Sequence, residues 1–381
     1  MAVITTIADL RDIARRKIPR SIFEYADCGA YTETTMRANR ADLDAIGLRQ
    51  RVLIDVSNRS LASSFVGQAA TMPVGIGPTG LTGLFHVDGE IHGCRAAQKF
   101  GIPFCLSTVS ICSIEDVRQN VEKPFWFQLY VMKDRGFAAS LIERAKAAEC
   151  SALVVTLDQQ IQGQRHRDLK NGLTVPPRLT FANALNILSK LGWALSMLRS
   201  KRKTFGNLAG YLPDEGVTVL AQWIANQLDA SLSWKDIEWI RSLWPGKLIL
   251  KGVLDAEDAK IAASCGADAI VVSNHGGRQL DGARSSISVL PEVVEAADGR
   301  IEVLFDGGIR SGQDVLKAKA LGAHGCLIGR AFLYSLAAGG EAGVLCGLEI
   351  IRKELDITMA LTGTRDINDV GAQILAEVWR Q

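Results

Sequence analysis

The residues best suited to proton transfer lie in one polar, glycine-rich loop. It reads Ser273-Asn-His-Gly-Gly-Arg-Gln-Leu-Asp281 and holds one of the five histidines of the 381-residue chain. An imidazole titrates near neutral pH and can accept a proton there. Gly276 and Gly277 leave the ring uncrowded and let a substrate approach the backbone. The pattern predicts a general base at His275, with a satisfied structural histidine as the alternative.

Two other loops have the composition of a phosphate-binding site. Asp306-Gly-Gly-Ile-Arg310 and Gly329-Arg330 each place glycine at the start of a predicted helix. Free backbone N–H groups and the helix dipole attract an anion there, and Arg310 or Arg330 would add a guanidinium donor. We predict phosphate binding, with glycines that merely close tight turns as the alternative.

A further glycine motif, Gly75-Ile-Gly-Pro-Thr-Gly80, fits the GxGxxG pattern of dinucleotide sites. Pro78 lies inside the motif, no clean helix begins there and no acidic residue ends the next strand. We therefore do not predict NAD binding from it.

Eight short apolar segments, each followed by a helical pattern, would position these loops. Continuous apolar runs suit parallel strands covered on both faces, and eight strand–helix repeats predict a single (β/α)8 TIM barrel, an α/β fold, over residues 1–381. An open doubly wound sheet is the alternative. The predicted strands are Met72–Gly77, Phe104–Ser107, Phe125–Val131, Leu153–Asp158, Leu248–Lys251, Ala269–Ser273, Val303–Asp306 and Cys326–Gly329.

The active site of such a barrel forms at the carboxyl ends of the strands. Polar side chains stand at the predicted ends of the third, fourth and fifth strands, namely Gln128, Tyr130, Thr156, Asp158 and Lys251. We expect them to converge with the three glycine-rich loops.

These motifs closely resemble those of the FMN-dependent α-hydroxy acid dehydrogenases and oxidases. The resemblance covers almost the whole chain. Its motifs are the His275 loop, the two phosphate loops, Phe23-Glu-Tyr-Ala-Asp-Cys-Gly-Ala30, Pro78-Thr-Gly80, Leu106-Ser-Thr108 and Phe127-Gln-Leu-Tyr130.

The resemblance implies a role for each matching residue. His275 would be the base and Asp158 the carboxylate that orients it. Arg278 and Arg165, with Tyr25, would bind the substrate carboxylate, and Tyr130 the substrate hydroxyl. Lys251 would stand beside the flavin N1–O2 edge. The remaining predicted FMN contacts are Pro78, Thr79, Gly80, Ser107, Gln128, Thr156, Ser273, Asp306, Gly308, Arg310, Gly329 and Arg330.

The implied reaction is oxidation of a small L-2-hydroxy acid to the 2-oxo acid, with L-lactate favoured and mandelate next. Electrons would pass to a membrane quinone or another acceptor. Gly80 resembles the dehydrogenases, since the oxidases tend to carry alanine there, and Val109 stands where some oxidases carry tryptophan. The alternatives are an oxygen-using oxidase that produces hydrogen peroxide, an FMN or phosphate-binding barrel with other chemistry, and an inactive membrane-associated scaffold.

One long insertion interrupts the repeats, between the fourth and fifth strands. Its end, Ser231–Leu243, has the pattern of the missing barrel helix. Residues 169–213 contain seven Lys or Arg (170, 178, 190, 199, 201, 202 and 203) and no Asp or Glu, around the apolar stretch Phe181–Leu198. Apolar segments with basic flanks bind membrane surfaces, and related dehydrogenases use this region for that purpose. The alternative is a packed lid over the active site.

The net charge, the cysteine spacing and the lengths of the apolar runs argue against several other classes of protein. A formal net charge of +2 gives no reason to expect a nucleic-acid partner. The eight cysteines lack zinc-type spacing, so we predict reduced core thiols and no metal site. Neither a signal peptide nor a run of about 18 uncharged apolar residues is apparent, and no additional haem domain is expected. We therefore expect a cytoplasmic protein, peripheral on the inner face of the cell membrane, and from the resemblance a homotetramer.

Overall fold

A computed structural model describes residues 3–172, 181–209, 211, 223 and 226–376. Three helices precede the sheet: α1 (Ile7–Lys17), α2 (Arg20–Asp27) and α3 (Thr34–Ala45). A short antiparallel hairpin follows, formed by β1 (Ser63–Phe65) and β2 (Gln68–Ala70).

Eight parallel strands make the body of the molecule. They are β3 (Val74–Ile76), β4 (Cys105–Ser107), β5 (Trp126–Leu129), β6 (Ala152–Thr156), β7 (Lys247–Val253), β8 (Ala269–Val272), β9 (Glu302–Asp306) and β10 (Gly325–Ile328). The order in the sheet is β3-β10-β9-β8-β7-β6-β5-β4. A parallel bridge between Ile76 and Phe104 joins the two outer strands. The predicted (β/α)8 barrel is therefore confirmed, and the open sheet is excluded.

Helices surround the strands. In chain order they are α4 (Thr82–Phe85), α5 (Gly89–Phe100), α6 (Ile114–Arg118), α7 (Arg135–Ala147), α8 (His166–Lys170), α9 (Phe181–Leu188), α10 (Leu191–Arg199), α11 (Trp234–Leu243), α12 (Ala256–Ser264), α13 (Ser286–Ala297), α14 (Gly312–Ala320) and α15 (Arg330–Leu361). The barrel helix after the insertion begins at Trp234 rather than Ser231, because Ser233 caps it in a reciprocal box with Asp236.

Alternate strand residues divide the core into two clusters, as the period of a β-strand requires. One cluster, which includes Trp126, Val154 and Val271, packs with Phe65 of the hairpin and fills the barrel. The other, which includes Phe127, Val155 and Val272, packs against the helices. Because both faces of each strand are buried, the strands have uninterrupted apolar runs in the sequence. All eight cysteines are free thiols, six of them buried.

The last long helix is apolar, although Glu341 and Glu349 interrupt it and no run of about 18 uncharged residues occurs there. By length and composition α15 could cross a membrane, but 72% of its most apolar window is buried inside the protein. Its backbone also leaves helical geometry at Gly339 and Gly340. The surroundings are those of a core helix.

Candidate active site

One cavity at the carboxyl ends of the strands collects most of the predicted site residues. Those that line it are Tyr25, Pro78, Thr79, Gly80, Tyr130, Thr156, Arg165, Lys251, His275, Arg278, Asp306, Gly308, Arg310, Gly329 and Arg330. The other four, Ser107, Gln128, Asp158 and Ser273, are hydrogen-bonded to one another or to lining residues directly behind the wall.

The imidazole of His275 is held by a carboxylate. Nδ1 of His275 lies 3.0 Å from Oδ1 of Asp158. His275 has a positive φ of 57°, an unusual conformation that its backbone N–H stabilises by donating to Ser273 Oγ at 3.1 Å. Gly252, with φ of 108°, makes room for Asp158, because a Cβ on Gly252 would lie 2.7 Å from the Asp158 Cβ.

Opposing effects set the ionisation of this pair. Burial lowers the pKa of His275, and the charge of Asp158 only partly restores it. Burial raises the pKa of Asp158, but its interaction with His275, which is hydrogen-bonded to it, and the charge of Lys251 outweigh that effect and bring the pKa below its usual value. The pair therefore rests as a neutral imidazole beside an ionised carboxylate, the state that a general base requires.

Two guanidinium groups face the ring of Tyr25. The Cζ atoms of Arg278 and Arg165 lie 5.0 and 5.9 Å from its centroid. Nη1 of Arg278 donates to the carbonyl oxygens of Tyr25 and Cys28 at 2.6 and 3.0 Å, which ties the N-terminal segment to the site. Arg165 stands 3.5 Å from Asp168, and its buried Nε has no hydrogen-bond partner in the described ranges. The arrangement offers two cations to an anionic ligand.

Tyr130 supplies a neutral hydroxyl to the same cavity. Its side chain lines the wall, and burial raises the pKa of the phenol, so it stays protonated at neutral pH. The backbone N–H of Tyr130 donates to Thr108 Oγ1 at 3.1 Å, which fixes the residue at the end of β5. A protonated phenol can donate a hydrogen bond to a substrate oxygen.

Lys251 carries a buried positive charge in the wall of the same cavity. Its Nζ lies 2.9 Å from Asp306 Oδ2 and donates to Ser273 Oγ at 2.8 Å. Burial lowers the pKa of Lys251, but the negative charges of Asp306 and Asp158 raise it by more than burial lowers it. The pKa therefore lies above its usual value. The side chain therefore remains an ammonium and can stabilise negative charge that develops nearby.

Behind the cavity wall, one side-chain amide has an unused hydrogen-bond donor among the residues described. Ser107 Oγ donates to Gln128 Oε1 at 3.0 Å, while Gln128 Nε2 is buried and makes no hydrogen bond to the residues described. A buried polar group without a partner costs free energy unless a ligand supplies one. An unpaired amide donor, a buried ammonium and glycine loops together fit a flavin with a phosphate tail, so the residues present fit FMN.

The two phosphate loops differ in the use of their arginines. All three nitrogens of the Arg330 guanidinium donate to backbone carbonyls, those of Ala26, Gly276 and Cys28, at 2.7 to 2.8 Å. Arg310 makes one such bond, from Nη1 to its neighbour Ile309 at 2.7 Å. Arg310 is therefore the better side-chain donor to a phosphate, while Arg330 holds the loops together.

Several lining residues were not singled out from the sequence. Gln159 and Gln162 follow β6, and Phe205 and Leu228 belong to the insertion. No periodic pattern marks them, because their positions depend on how the insertion returns over the barrel. They add apolar and amide surface to the mouth of the cavity.

Comparison with known proteins fits this geometry. The sequence profile of the family described as FMN-dependent dehydrogenase matches residues 14–377. The chain belongs to that family. FMN is therefore its cofactor, and the predicted family membership is confirmed.

The family relatives are close over their whole length. An L-lactate dehydrogenase of Caulobacter sp. (strain K31) is 47% identical over 380 residues, which cover 99% of this chain and 100% of that protein. An L-lactate dehydrogenase of Pseudomonas aeruginosa (strain LESB58) is 46% identical, with 98% of each chain covered. The crystal structure of the monotopic membrane protein (S)-mandelate dehydrogenase superposes with a TM-score of 0.94 at 37% identity, covering 98% of this chain and 100% of that one. A mandelate oxidase gives a TM-score of 0.83 at 34% identity, with 98% of both chains covered.

Proposed function

We propose that this FMN-dependent dehydrogenase oxidises a small L-2-hydroxy acid to the 2-oxo acid, with L-lactate as the first substrate and mandelate as the second. The observation that carries the proposal is the convergence of His275, its partner Asp158 and the guanidinium of Arg278 on one cavity. Relatives named L-lactate dehydrogenase support the choice of substrate.

The substrate carboxylate binds between the two arginines. Arg165 and Arg278 flank Tyr25, and the unpaired Nε of Arg165 gains a partner when a carboxylate enters. A charged hydrogen bond of this kind contributes about 1.5–3 kcal/mol. The clamp places C2 of the hydroxy acid toward His275 and its hydroxyl toward Tyr130.

His275 then accepts a proton through Nε2, because Nδ1 is committed to Asp158. Asp158 stabilises the imidazolium that results. Oxidation to the 2-oxo acid removes two electrons and two protons: His275 would accept one proton, and bound FMN would take up the two electrons and the other proton. Lys251 would stabilise the negative charge that develops on the flavin. The polar edge of the flavin ring would be bound by Gln128, Thr156, Ser107 and Ser273. Pro78, Thr79 and Gly80 would lie along the ring. Asp306, Gly308, Arg310 and the backbone of Gly329 and Arg330 would hold the ribityl phosphate.

The insertion supports contact with a membrane. Helices α9 and α10 expose five leucines, Leu185, Leu188, Leu191, Leu195 and Leu198, each more than half exposed; we call them the leucine face. On the other side of α10, Trp193 Nε1 donates to Leu84 O at 2.7 Å and anchors the helix to the protein. The exposed Arg199, Lys201 and Lys203 follow the leucine face. An apolar helical face with basic flanks is the composition of an interfacial segment.

The same insertion also covers the active site. Phe205, only 4% exposed, lines the cavity just after the basic turn. We therefore propose that the insertion serves both as a lid, through Phe205, and as a membrane segment, through the leucine face. We propose that the protein is peripheral on the inner face of the cell membrane, passes its electrons to quinone there, and assembles as a homotetramer.

Anaerobic mixing with substrate tests the activity. L-lactate should bleach the flavin absorbance of the holoenzyme within the turnover time, L-mandelate more slowly, and D-lactate not at all. A soluble quinone analogue should then restore the oxidised spectrum faster than air does. Stoichiometric hydrogen peroxide with L-lactate in air would favour the oxidase instead, and a flavin that no 2-hydroxy acid bleaches would contradict the proposal.

A further inference from the structure

Glu90, in the first turn of α5, is buried to 1% exposure although it is a carboxylic acid. Its Oε1 accepts two backbone hydrogen bonds from different parts of the chain, from Gly83 N at 3.0 Å and from Ile111 N at 2.8 Å. Burial raises the pKa of Glu90, and the buried thiol of Cys112 interacts with the same carboxyl group. One buried oxygen thus joins the loop after β3 to the loop after β4.

Both of these loops reach the active-site cavity two residues earlier. Leu81 precedes Gly83 and Val109 precedes Ile111, and both side chains line the cavity. Leu81 N also donates to Val109 O at 2.9 Å. The separation of the two loops therefore fixes where Leu81 and Val109 stand in the cavity wall.

The contact between the loops is tight and strained. A Cβ on Gly83 would lie 2.6 Å from the Cβ of Ile111, so the loops touch there without a side chain between them. Leu81 has a positive φ of 56°, a conformation that non-glycine residues keep only when their surroundings enforce it. Glu90 holds the two segments that carry this conformation, through its bonds to Gly83 and Ile111.

We propose that Glu90 is a positioning residue that fixes the placement of Leu81 and Val109 in the cavity wall and thereby selects the size of the substrate side chain. The inference rests on the proposed oxidation of 2-hydroxy acids. Glu90 does not line the cavity and does not touch the substrate. It acts by satisfying two buried N–H groups that would otherwise pull their loops toward other partners.

The test compares the ratio of kcat/KM for L-lactate to that for L-mandelate in Glu90→Leu, Glu90→Asp and Glu90→Gln holoenzymes. Glu90→Gln keeps a carbonyl oxygen in place, and its ratio should stay within about twofold of the wild type. Glu90→Leu removes the acceptor, and Glu90→Asp is one methylene too short to serve both loops. Each should shift the ratio toward L-mandelate by about tenfold, the selectivity that a methylene of pocket space confers.

Glu354 provides the matched control. It is a half-buried glutamate of α15 that accepts a hydrogen bond from Gly312 N at 2.9 Å, outside the cavity. Glu354→Leu should lower the melting temperature and leave the substrate ratio unchanged.

If Glu90→Leu is insoluble, the ratio measured for Glu90→Asp decides the test. A ratio within about twofold of the wild type in the most altered soluble Glu90 variant would overturn the proposal. Wild-type enzyme that oxidises neither acid would instead overturn the proposed function.

Discussion

Asp158 presents only one of its two oxygens to His275. Oδ1 lies 3.0 Å from Nδ1, whereas the buried Oδ2 has no hydrogen-bond partner among the residues for which the structure gives a placement. A carboxylate that is incompletely paired in a buried site retains much of its negative potential. That potential is available to the imidazolium when the base takes its proton.

The pH dependence of kcat/KM should report this environment. Burial depresses the pKa of His275 below its ordinary value of 6.5, so the imidazole in the free enzyme is neutral at pH 7. Activity should fall only as the pH drops through that lowered pKa, which protonates the base. A profile with L-lactate between pH 5 and 8 should therefore have an acidic limb with its midpoint below 6.5. A midpoint clearly above 6.5 would contradict the assignment.

Replacing Asp158 with Asn should move that limb further toward acid. Asp158 raises the pKa of His275, so its neutral analogue lets the pKa fall. The variant should also lose about ten- to a hundredfold in kcat, the usual loss when the partner that orients a functional histidine is removed. The same pH profile, recorded on a variant of unchanged FMN content, checks both effects. An unshifted limb would show that Asp158 does not act through His275.

His275→Ala removes the base itself. Turnover should fall by at least about a hundredfold, because a general base contributes about 10²–10⁴-fold. His166→Ala is the control, since His166 is exposed at the start of α8, where its ring packs edge-on against Tyr31. It should keep near-normal turnover. Steady-state rates with equal flavin loading make the comparison, and a His275→Ala enzyme as active as the control would refute the role.

Arg165→Lys tests the carboxylate clamp. Lysine keeps the charge but loses the planar pair of donors. KM for L-lactate should rise by about tenfold or more, because a charged hydrogen bond contributes about 1.5–3 kcal/mol. Arg167→Lys is a near neighbour that pairs with Glu33 at 2.8 Å outside the cavity, and its KM should not change. Equal KM values in the two variants would remove Arg165 from the clamp.

The polar ends of the strands were predictable because parallel strands bring their carboxyl ends to one rim. Tyr130, Asp158 and Lys251 lie far apart in sequence, yet the eightfold repeat alone requires them to meet. The strand positions follow from the same regularity. All eight observed strands begin and end within two residues of the predicted apolar runs, including β7, whose bulged end continues to Val253.

Other residues could not be assigned from the sequence. Glu90 has the pattern of a solvent-exposed glutamate in the first turn of a helix, and only the tertiary structure shows that two loops bury it. Arg202 belongs to a run of basic residues that predicted a membrane-facing cluster, but it pairs with Asp88 and Asp116 at 2.8 Å within the protein. Arg178, another member of that cluster, lies outside the described residues.

The leucine face yields a separate prediction about membranes. Leu191 and Leu195 are 65% and 51% exposed on one side of α10. Burying a leucine side chain in an apolar medium contributes about 1.5–3 kcal/mol. A Leu191→Glu, Leu195→Glu double variant should therefore bind vesicles of anionic and zwitterionic phospholipid at least about tenfold more weakly than the wild type in a co-sedimentation assay. Wild-type binding should also weaken as salt is raised, because Arg199, Lys201 and Lys203 contribute by electrostatic attraction.

Leu53→Glu is the matched control for that experiment. Leu53 is fully exposed in the segment between α3 and β1, away from the insertion. It should bind vesicles like the wild type, and both variants should keep their activity with a soluble acceptor if the leucine face serves only attachment. Equal vesicle binding by the wild type and the double variant would show that the basic residues, or another surface, hold the enzyme at the membrane. Failure of the wild type to bind at low salt would exclude the membrane contact and leave the insertion as a lid.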